Sequence, residues 1–367
     1  MSDFVPGLRL ARLFYFEAVE PVLNASFPQL DFSAALIGSG SEVLGFDTQM
    51  STDHHWGPRV MLFLREDTDN HSLKAVDEAL RSELPVRFHG YSTNFTLPDP
   101  ADNNVQLLQD ADSGPINHRV ELLTIRGFFL DYLNFDIEES IQPADWLTFP
   151  EQKLLTITAG EVFHDGIGLQ PVRDLFNYYP NDVWLYLLAS GWNRIGQEEH
   201  LMGRAGIVGD EIGSALIGAR LVRDAMRLCF LMEKRYAPYA KWFGKAFDRL
   251  RCAEELSPTL RKVLLAESWL EREQYLARTY EYLAEMHNKL GITEPLPASA
   301  TNFFGRPFRV IDAGRRFAET IRARITDPAV KKLTDRRSLI GSIDQFSDST
   351  DMVSDSQWRA TLRRLYE

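Results

Sequence analysis

Two short segments of the chain carry residues that could do chemistry together. The first is a turn of small residues, Gly38-Ser39-Gly40-Ser41, and the second is the triplet Asp53-His54-His55. Small residues let backbone amides and hydroxyls approach an anion closely, and carboxylates and imidazoles bind divalent cations. Together the two segments are typical of metal-assisted phosphoryl or nucleotidyl transfer. Neither a P-loop nor a dinucleotide GxGxxG fingerprint is present.

The triplet is predicted to open the second strand of a sheet, and this placement decides which of its residues act together. Residues two apart on a strand point to the same face. Asp53 and His55 are therefore expected to share one face, with His54 on the other. A metallohydrolase that uses both His54 and His55 is disfavoured, because adjacent strand residues point in opposite directions.

These residues resemble the polymerase-beta-type nucleotidyltransferases. The signature of that superfamily is a hydrophobic residue, Gly-Gly or Gly-Ser, a gap, and then Asp-x-Asp or Asp-x-Glu. This chain has Gly38-Ser39, then Gly45, then Ser51-x-Asp53-x-His55. It is most similar to a little-characterised bacterial family of domains of unknown function. That family has a nucleotidyltransferase domain, a helical C-terminus and a segment like Tyr236–Phe243 (YAPYAKWF).

The resemblance implies an activity and a set of site residues. The expected reaction moves a nucleoside monophosphate from a nucleoside triphosphate such as ATP to a hydroxyl or amine of an unidentified small molecule or protein. The residues expected to be catalytic and to hold Mg²⁺ or Mn²⁺ are Asp53, His55 and Glu121. Those expected to bind the nucleotide are Gly38, Ser39, Gly40, Ser41 and Lys241.

Glu121 and Lys241 are the site residues farthest from the motif. Glu121 lies on an apolar segment, Arg119–Ile125, where a buried carboxylate without a partner costs free energy. One possibility is that Glu121 ligates a metal or takes a proton from the hydroxyl or amine that receives the nucleotide. The alternative is that it faces solvent on an edge strand. Asp131 is the reserve candidate for this role. Lys241 follows a break at Pro238, from which its ammonium group is expected to reach phosphate.

One residue departs from the family pattern, because His55 stands where a second carboxylate is expected. Mg²⁺ prefers oxygen ligands, whereas imidazole suits Mn²⁺ and other transition metals. Two hypotheses follow. Either His55 still ligates a metal and the protein is a nucleotidyltransferase, or the protein is a nucleotide-binding regulator with a degenerate transferase site.

The elements around these residues predict an α+β protein. We expect a small mixed-sheet, nucleotidyltransferase-like domain over residues 1–138, followed by a larger all-helical domain over residues 139–367. The predicted strands are Ala34–Ile37, Val60–Leu64, Val86–Phe95 and Arg119–Ile125, and the Asp53 triplet is expected to open the second of them. The predicted helices are 8–23, 72–84, 143–157, 170–178, 181–203, 210–235, 239–251, 257–267, 269–290, 310–325 and 356–366. The first half of helix 210–235 is rich in small residues and is expected to pack closely against a neighbour.

Composition limits the class of partner and the compartment. The 367 residues are 44% hydrophobic and 25% charged, with a formal net charge of −12. This acidity disfavours nucleic acid as a partner, because such proteins rely on clustered Lys and Arg. The longest apolar run, Val183–Trp192, is far shorter than the roughly 20 residues that cross a bilayer. The sequence shows no signal peptide pattern, and its two cysteines, Cys229 and Cys252, are expected to be free thiols. We therefore expect a cytoplasmic protein without membrane contact.

Overall fold

The chain folds into two compact units that interleave along the sequence. The computed structural model describes residues 4–53, 55–102, 104–336 and 338–367, without the side chains of Asp53 and Arg336. The first unit comprises residues 1–140 and 153–177, and the second comprises residues 141–152 and 178–367. The predicted domains, 1–138 and 139–367, stay a prediction, and each unit is described by itself.

The strands confirm the predicted fold class, a small mixed sheet followed by a helical region. They are β1 (Phe32–Leu36), β2 (Arg59–Leu64), β3 (Arg87–Phe88), β4 (Tyr91–Ser92), β5 (Arg119–Thr124), β6 (Glu161–Asp165), β7 (Thr301–Asn302) and β8 (Arg309–Val310). Four of them form the sheet of the first unit in the order β5-β2-β1-β6. Strand β2 is parallel to β5, whereas β1 is antiparallel to both β2 and β6.

The helices of the first unit are α1 (Gly7–Phe14), α2 (Glu20–Ser26), α3 (Asn70–Glu83), α4 (Ile125–Leu133) and α7 (Leu169–Asp174), with a π-helical turn at Tyr15–Val19. Helix α6 (Glu151–Thr158) begins in the second unit and ends in the first. Every residue of β1 and β2 is buried. The core of the first unit packs Leu62 of β2 with Leu10 and Phe14 of α1 and Leu80 of α3, so this sheet is a rigid base for the loops at its edge.

The second strand begins later than predicted. Residues Gln49–Asp53 form a 3₁₀ turn, and His55 has φ 54°, in the left-handed region. Gly57 has φ 146° and is followed by Pro58, which has no amide hydrogen, so the ladder starts only at Arg59. The expectation that Asp53 and His55 share one face of a strand is therefore wrong.

The helices of the second unit are α5 (Pro143–Thr148), α8 (Asn181–Glu198), α9 (Leu201–Ile207), α10 (Glu211–Met232), α11 (Ala240–Phe247), α12 (Ala253–Leu265), α13 (Trp269–Lys289), α14 (Glu319–Arg322), α15 (Pro328–Arg336), α16 (Ile343–Phe346), α17 (Thr350–Ser354) and α18 (Arg359–Arg363). A π-helical turn, Ala313–Ala318, precedes α14. No helix in the described part of the chain is both long and apolar enough to cross a membrane.

Several elements differ from their predicted bounds for local reasons. The predicted helix 143–157 is broken between α5 and α6 at Pro150, which cannot continue a helix. The predicted strand Val86–Phe95 is a short hairpin, β3 and β4, that turns at His89 and Gly90, both with positive φ. Strand β6 lies in the stretch expected to be all helical, where its short, half-exposed sequence has no strand pattern.

The predicted close packing of the first half of α10 is found on one of its faces. Ser214 and Gly218 are buried, and a Cβ atom on Gly218 would lie 2.6 Å from the side chain of Arg272 on α13. The opposite face, which carries Ile212 and Leu216, is exposed. The small residues on one face of α10 thus allow α13 to approach closely, whereas the opposite face of α10 is exposed.

Candidate functional site

The register of the sheet brings three chain segments to one edge. Ala35 of β1 pairs with Met61 of antiparallel β2, so the end of β1 lies beside the start of β2. Arg59 pairs with Arg119 in the parallel pair of β2 and β5, which places the start of β5 at the same edge. The turn after β1, the loop before β2 and the first residues of β5 therefore converge.

The turn after β1 places a run of backbone amides at this edge. Gly38 (φ 77°) and Gly40 (φ 149°) have conformations that favour glycine. The Gly38 amide donates to the carbonyl oxygen of Thr156 over 2.9 Å, which removes it as a ligand contact. The amides of Ser39, Gly40 and Ser41 donate to no acceptor within the described residues. Consecutive amides of this kind are a common anion-binding arrangement.

A buried ion pair contacts this turn on the side that faces the protein interior. The Nη2 atom of Arg59 lies 2.6 Å from Oε1 of Glu42, and the two side chains are 8% and 5% exposed. The same Nη2 donates to the carbonyl oxygen of Ser39 over 2.8 Å. A Cβ atom on Gly40 would lie 2.6 Å from Arg59 Nη2, so only glycine lets the turn approach the ion pair this closely.

A second arginine connects the loop before β2 to Glu121. Nη1 of Arg119 lies 2.6 Å from Nδ1 of His55, and Nη2 lies 3.4 Å from Oε1 of Glu121. The Arg119 side chain is 12% exposed, and its Nε is buried with no hydrogen-bond partner in the described part of the chain. Burial, with the positive charge of Arg59, lowers the pKa of Arg119. An arginine nevertheless stays protonated at neutral pH.

A hydroxyl chain links the exposed turn to the interior. Ser39 Oγ lies 3.3 Å from the hydroxyl of Tyr132, which in turn lies 2.6 Å from Oγ1 of Thr156. The ammonium group of Lys153 donates to the carbonyl oxygen of Tyr132 over 2.7 Å. Burial raises the pKa of the Tyr132 hydroxyl, so this group stays protonated and acts as a hydrogen-bond donor to Ser39 or Thr156.

The structure brings some of the predicted site residues together. The turn Gly38–Ser41, His55 and Glu121 lie at one sheet edge, where Arg59 donates to the turn and Arg119 contacts both His55 and Glu121. The side chain of Asp53 and all of His54 fall outside the described residues. Lys241 belongs to the second unit, where its Nζ lies 5.0 Å from the centroid of the Trp242 ring. The roles of all these residues stay predictions.

The side chains described at this edge that could ligate a metal ion are not arranged to do so. Nδ1 of His55 accepts from Arg119, so a neutral imidazole carries its proton on Nε2 and has no lone pair left for a cation. Glu121 faces the same guanidinium, whose positive charge opposes a cation. Among described side chains, no group of three or more His, Cys, Asp or Glu residues could hold a metal.

Sequence reasoning did not identify the two arginines or Glu42 as site residues. Arg59 and Arg119 each stand at the start of an apolar strand, and a charge at such a position is the signal that could have found them. Nothing in the sequence pairs Arg59 with Glu42, because the two lie in different elements and meet only through the fold.

Comparison with known proteins gives a family match over part of the chain and a similarity to a solved structure. Residues 146–243 match the family described as Domain of unknown function (DUF4037), and this range includes the Tyr236–Phe243 segment. No curated protein matches the chain. The crystal structure of a nucleotidyltransferase-like protein from Exiguobacterium sibiricum 255-15 is similar with a TM-score of 0.29 and 11% identity. The similarity covers 78% of each chain, and at this score it carries no argument about function.

Proposed function

We propose that the first unit binds the phosphate groups of a nucleoside triphosphate at the edge of its sheet. The observation that carries this proposal is the turn at Ser39, Gly40 and Ser41. Its three amides have no acceptor within the described residues, and its Ser39 side chain is exposed. Such a turn satisfies phosphate oxygens with hydrogen bonds that water otherwise makes.

Charge at the same edge supports an anionic ligand. Arg59 is neutralised by the buried Glu42, whereas Glu121, the carboxylate beside Arg119, is 39% exposed and 3.4 Å away. A phosphate that displaces Glu121 would replace the long 3.4 Å contact of Arg119 with a charge-assisted hydrogen bond of ordinary length. Phosphate is therefore a better match for this edge than a neutral ligand.

Nucleotidyl transfer is the second candidate function. The observation that favours it is Glu121, a carboxylate at the same edge as the turn, where it could accept a proton from a hydroxyl or amine acceptor. Transfer of a nucleoside monophosphate would also rest on Asp53, whose role comes from the resemblance. The Mg²⁺ or Mn²⁺ expected for this chemistry requires His55 and Glu121 to separate from Arg119.

The binding proposal is tested by thermal shift with each of the four nucleoside triphosphates. A ligand that binds only the folded state raises its stability by RT ln(1 + [L]/Kd). We expect at least one triphosphate to stabilise the protein and Arg119→Gln to reduce the shift. The matched control is Arg65→Gln, which removes an exposed arginine at the other end of β2 and should leave the shift unchanged. Absence of a shift with all four triphosphates, with and without Mg²⁺ or Mn²⁺, would refute the proposal.

Transfer is tested separately from binding. Nucleotides labelled at the α-phosphate are incubated with the protein and with cell extract as the source of acceptors. A transferase produces a labelled acceptor, and Asp53→Asn abolishes the product while the melting temperature without nucleotide is unchanged. A protein that only binds gives a thermal shift without labelled product, and transfer that appears only in His55→Asp identifies the natural chain as a binder.

A further inference from the structure

The two cysteines of the chain lie close together in the second unit, although they are far apart in the sequence. Cys229 is in the last turn of α10, and Cys252 immediately precedes α12. Glu233, directly after α10, contacts both residues. Its amide donates to the carbonyl oxygen of Cys229 over 2.9 Å, and its Oε1 accepts the amide hydrogen of Cys252 over 2.9 Å. The end of α10 and the start of α12 therefore hold the two cysteines on either side of one carboxylate.

The thiols of the two cysteines and the carboxylate of Glu233 form a hydrogen-bonded chain. Burial opposes the charge of Glu233, but hydrogen bonds from Arg251 and Cys252 outweigh it and lower the pKa of this carboxyl group. A deprotonated carboxylate only accepts hydrogen bonds, so the thiol of Cys252 donates its single hydrogen to Glu233. The sulfur of Cys252 is then left to accept the thiol hydrogen of Cys229. The two sulfur atoms are thus in direct contact.

The surroundings of the two thiols assign them different chemical roles. Burial, the contact with Cys252 and the charge of Glu233 raise the pKa of Cys229 well above its usual range, so this thiol stays protonated. The thiol of Cys252 has a proton acceptor in Glu233 and lies in a surface turn, where the side chain of Arg251 is 88% exposed. A small oxidant therefore reaches Cys252 through a local opening of this turn, whereas Cys229 lies behind it.

We propose that Cys229 and Cys252 form a disulfide bond when the protein reacts with hydrogen peroxide. Sγ of Cys252 attacks one peroxide oxygen as its proton passes to Glu233, and the O–O bond breaks. The departing hydroxide takes this proton and leaves as water. Sγ of Cys229 then attacks the sulfenic acid sulfur of Cys252, and the S–O bond breaks. The hydroxide released takes the proton of Cys229, so two thiols are oxidised to a disulfide and the peroxide is reduced to two waters.

The disulfide closes a loop around the segment Tyr236–Phe243, which contains Lys241. This loop leaves the end of α10, passes through the segment and α11, and returns at the start of α12. A crosslink at its base removes conformations that the opened or unfolded chain otherwise samples. The oxidised protein should therefore open this segment less often than the reduced protein does.

Peroxide treatment of the reduced, full-length protein tests the proposal. The thiols that react in denaturant should fall from two per chain to none, and the intact mass should fall by the mass of two hydrogen atoms. Peptide mapping without reductant should give one linked pair that contains Cys229 and Cys252. The product should run as a monomer on a non-reducing gel, and dithiothreitol should restore both thiols.

Two outcomes of this experiment would overturn the proposal. One is that both thiols persist in the folded wild type at peroxide concentrations that oxidise an accessible control thiol, introduced by Leu97→Cys at a leucine that is 77% exposed. The other is oxidation to sulfinic acid, or to disulfides between chains, without the linked pair of Cys229 and Cys252. Because these measurements use the wild type, they do not depend on whether a cysteine variant folds.

Serine variants and proteolysis test the order of the reaction and its consequence. In Cys229→Ser the sulfenic acid at Cys252 has no second thiol to react with, so dimedone should label it. In Cys252→Ser the buried Cys229 should stay unlabelled, and labelling of Cys229 instead would overturn the proposed order. Trypsin should cleave after Lys241 more slowly in the oxidised protein, with unchanged cleavage after Lys74 of the first unit as the control. Equal cleavage after Lys241 in both forms would contradict restriction of the segment.

Discussion

Both units contain an arginine that pairs with a buried carboxylate, but the surroundings of the two arginines hold different numbers of carboxylates. In the first unit, Arg59 faces one carboxylate, Glu42, and the neighbouring Arg119 faces one carboxylate, Glu121. In the second unit, Arg227 lies 3.0 Å from Glu151, and Asp344 accepts the amide hydrogen of Glu151 over 2.8 Å. The first cluster therefore has one carboxylate for each arginine, whereas the second has two carboxylates for one arginine.

The difference indicates which cluster binds a ligand and which supports the fold. The first lies beside an exposed turn whose amides meet no acceptor in the described part of the chain, and its carboxylate Glu121 is exposed enough for a phosphate to take its place at Arg119. The second surrounds a cavity of about 10 Å³, roughly enough for one water molecule. Its charge is balanced by a proton, since burial raises the pKa of Glu151 to about 8. Four predictions follow from this contrast, beginning with the largest expected effect.

Removal of Arg59 should have the largest effect on stability. Arg59→Met leaves Glu42 buried without its partner, so we expect the free energy of unfolding to fall by about 3–5 kcal/mol. Urea denaturation measures this change. Arg65→Met, which removes a 58% exposed arginine, should change stability by only about 0.5 kcal/mol. Equal effects of the two substitutions would show that the ion pair with Glu42 is not structural.

The second cluster should give the protein a pH dependence. Glu151 titrates at about 8 when folded and near its usual 4.5 when unfolded, so between these values the folded state holds the extra proton. Stability therefore falls as pH rises from about 4.5 towards 8. Glu151→Gln should remove much of this fall, on the order of 2–3 kcal/mol. Urea denaturation at several pH values measures it, and an unchanged pH slope in the variant would contradict a protonated Glu151.

The turn above the first cluster should tolerate no side chain at Gly40. Gly40→Ala places a Cβ atom 2.6 Å from Arg59 Nη2, and we expect a loss of about 2 kcal/mol. Gly45→Ala is the control, because Gly45 also has positive φ but no described atom within 4 Å of its Cβ position. It should lose only about 1 kcal/mol. Thermal denaturation measures the stability of the two variants. Losses of equal size would mean that the contact with Arg59 destabilises Gly40→Ala no further than backbone strain does.

The sequence predicts the regular elements better than the site. Strand β5 and helices α10 and α13 are close to their predicted bounds, because each has a clear pattern of apolar residues in the sequence. The predicted start of β2 at Asp53 is wrong, because a 3₁₀ turn and Gly57-Pro58 separate Asp53 from the first hydrogen-bonded residue of the strand. The predicted Glu121 lies at the same edge as the Gly-Ser turn. The pairing of Arg59 with Glu42 and the contact of Arg119 with His55 depend on tertiary structure that no local pattern records.

The most direct test of the central claim is calorimetric titration with a nucleoside triphosphate and with the matching nucleoside. If the phosphates bind at Ser39, Gly40, Ser41 and Arg119, the triphosphate binds and the nucleoside alone binds far more weakly. Arg119→Gln should then weaken triphosphate binding by about tenfold or more, because it removes a charge-assisted hydrogen bond. Equal affinities of wild type and Arg119→Gln, or of triphosphate and nucleoside, would contradict phosphate binding at this edge of the sheet.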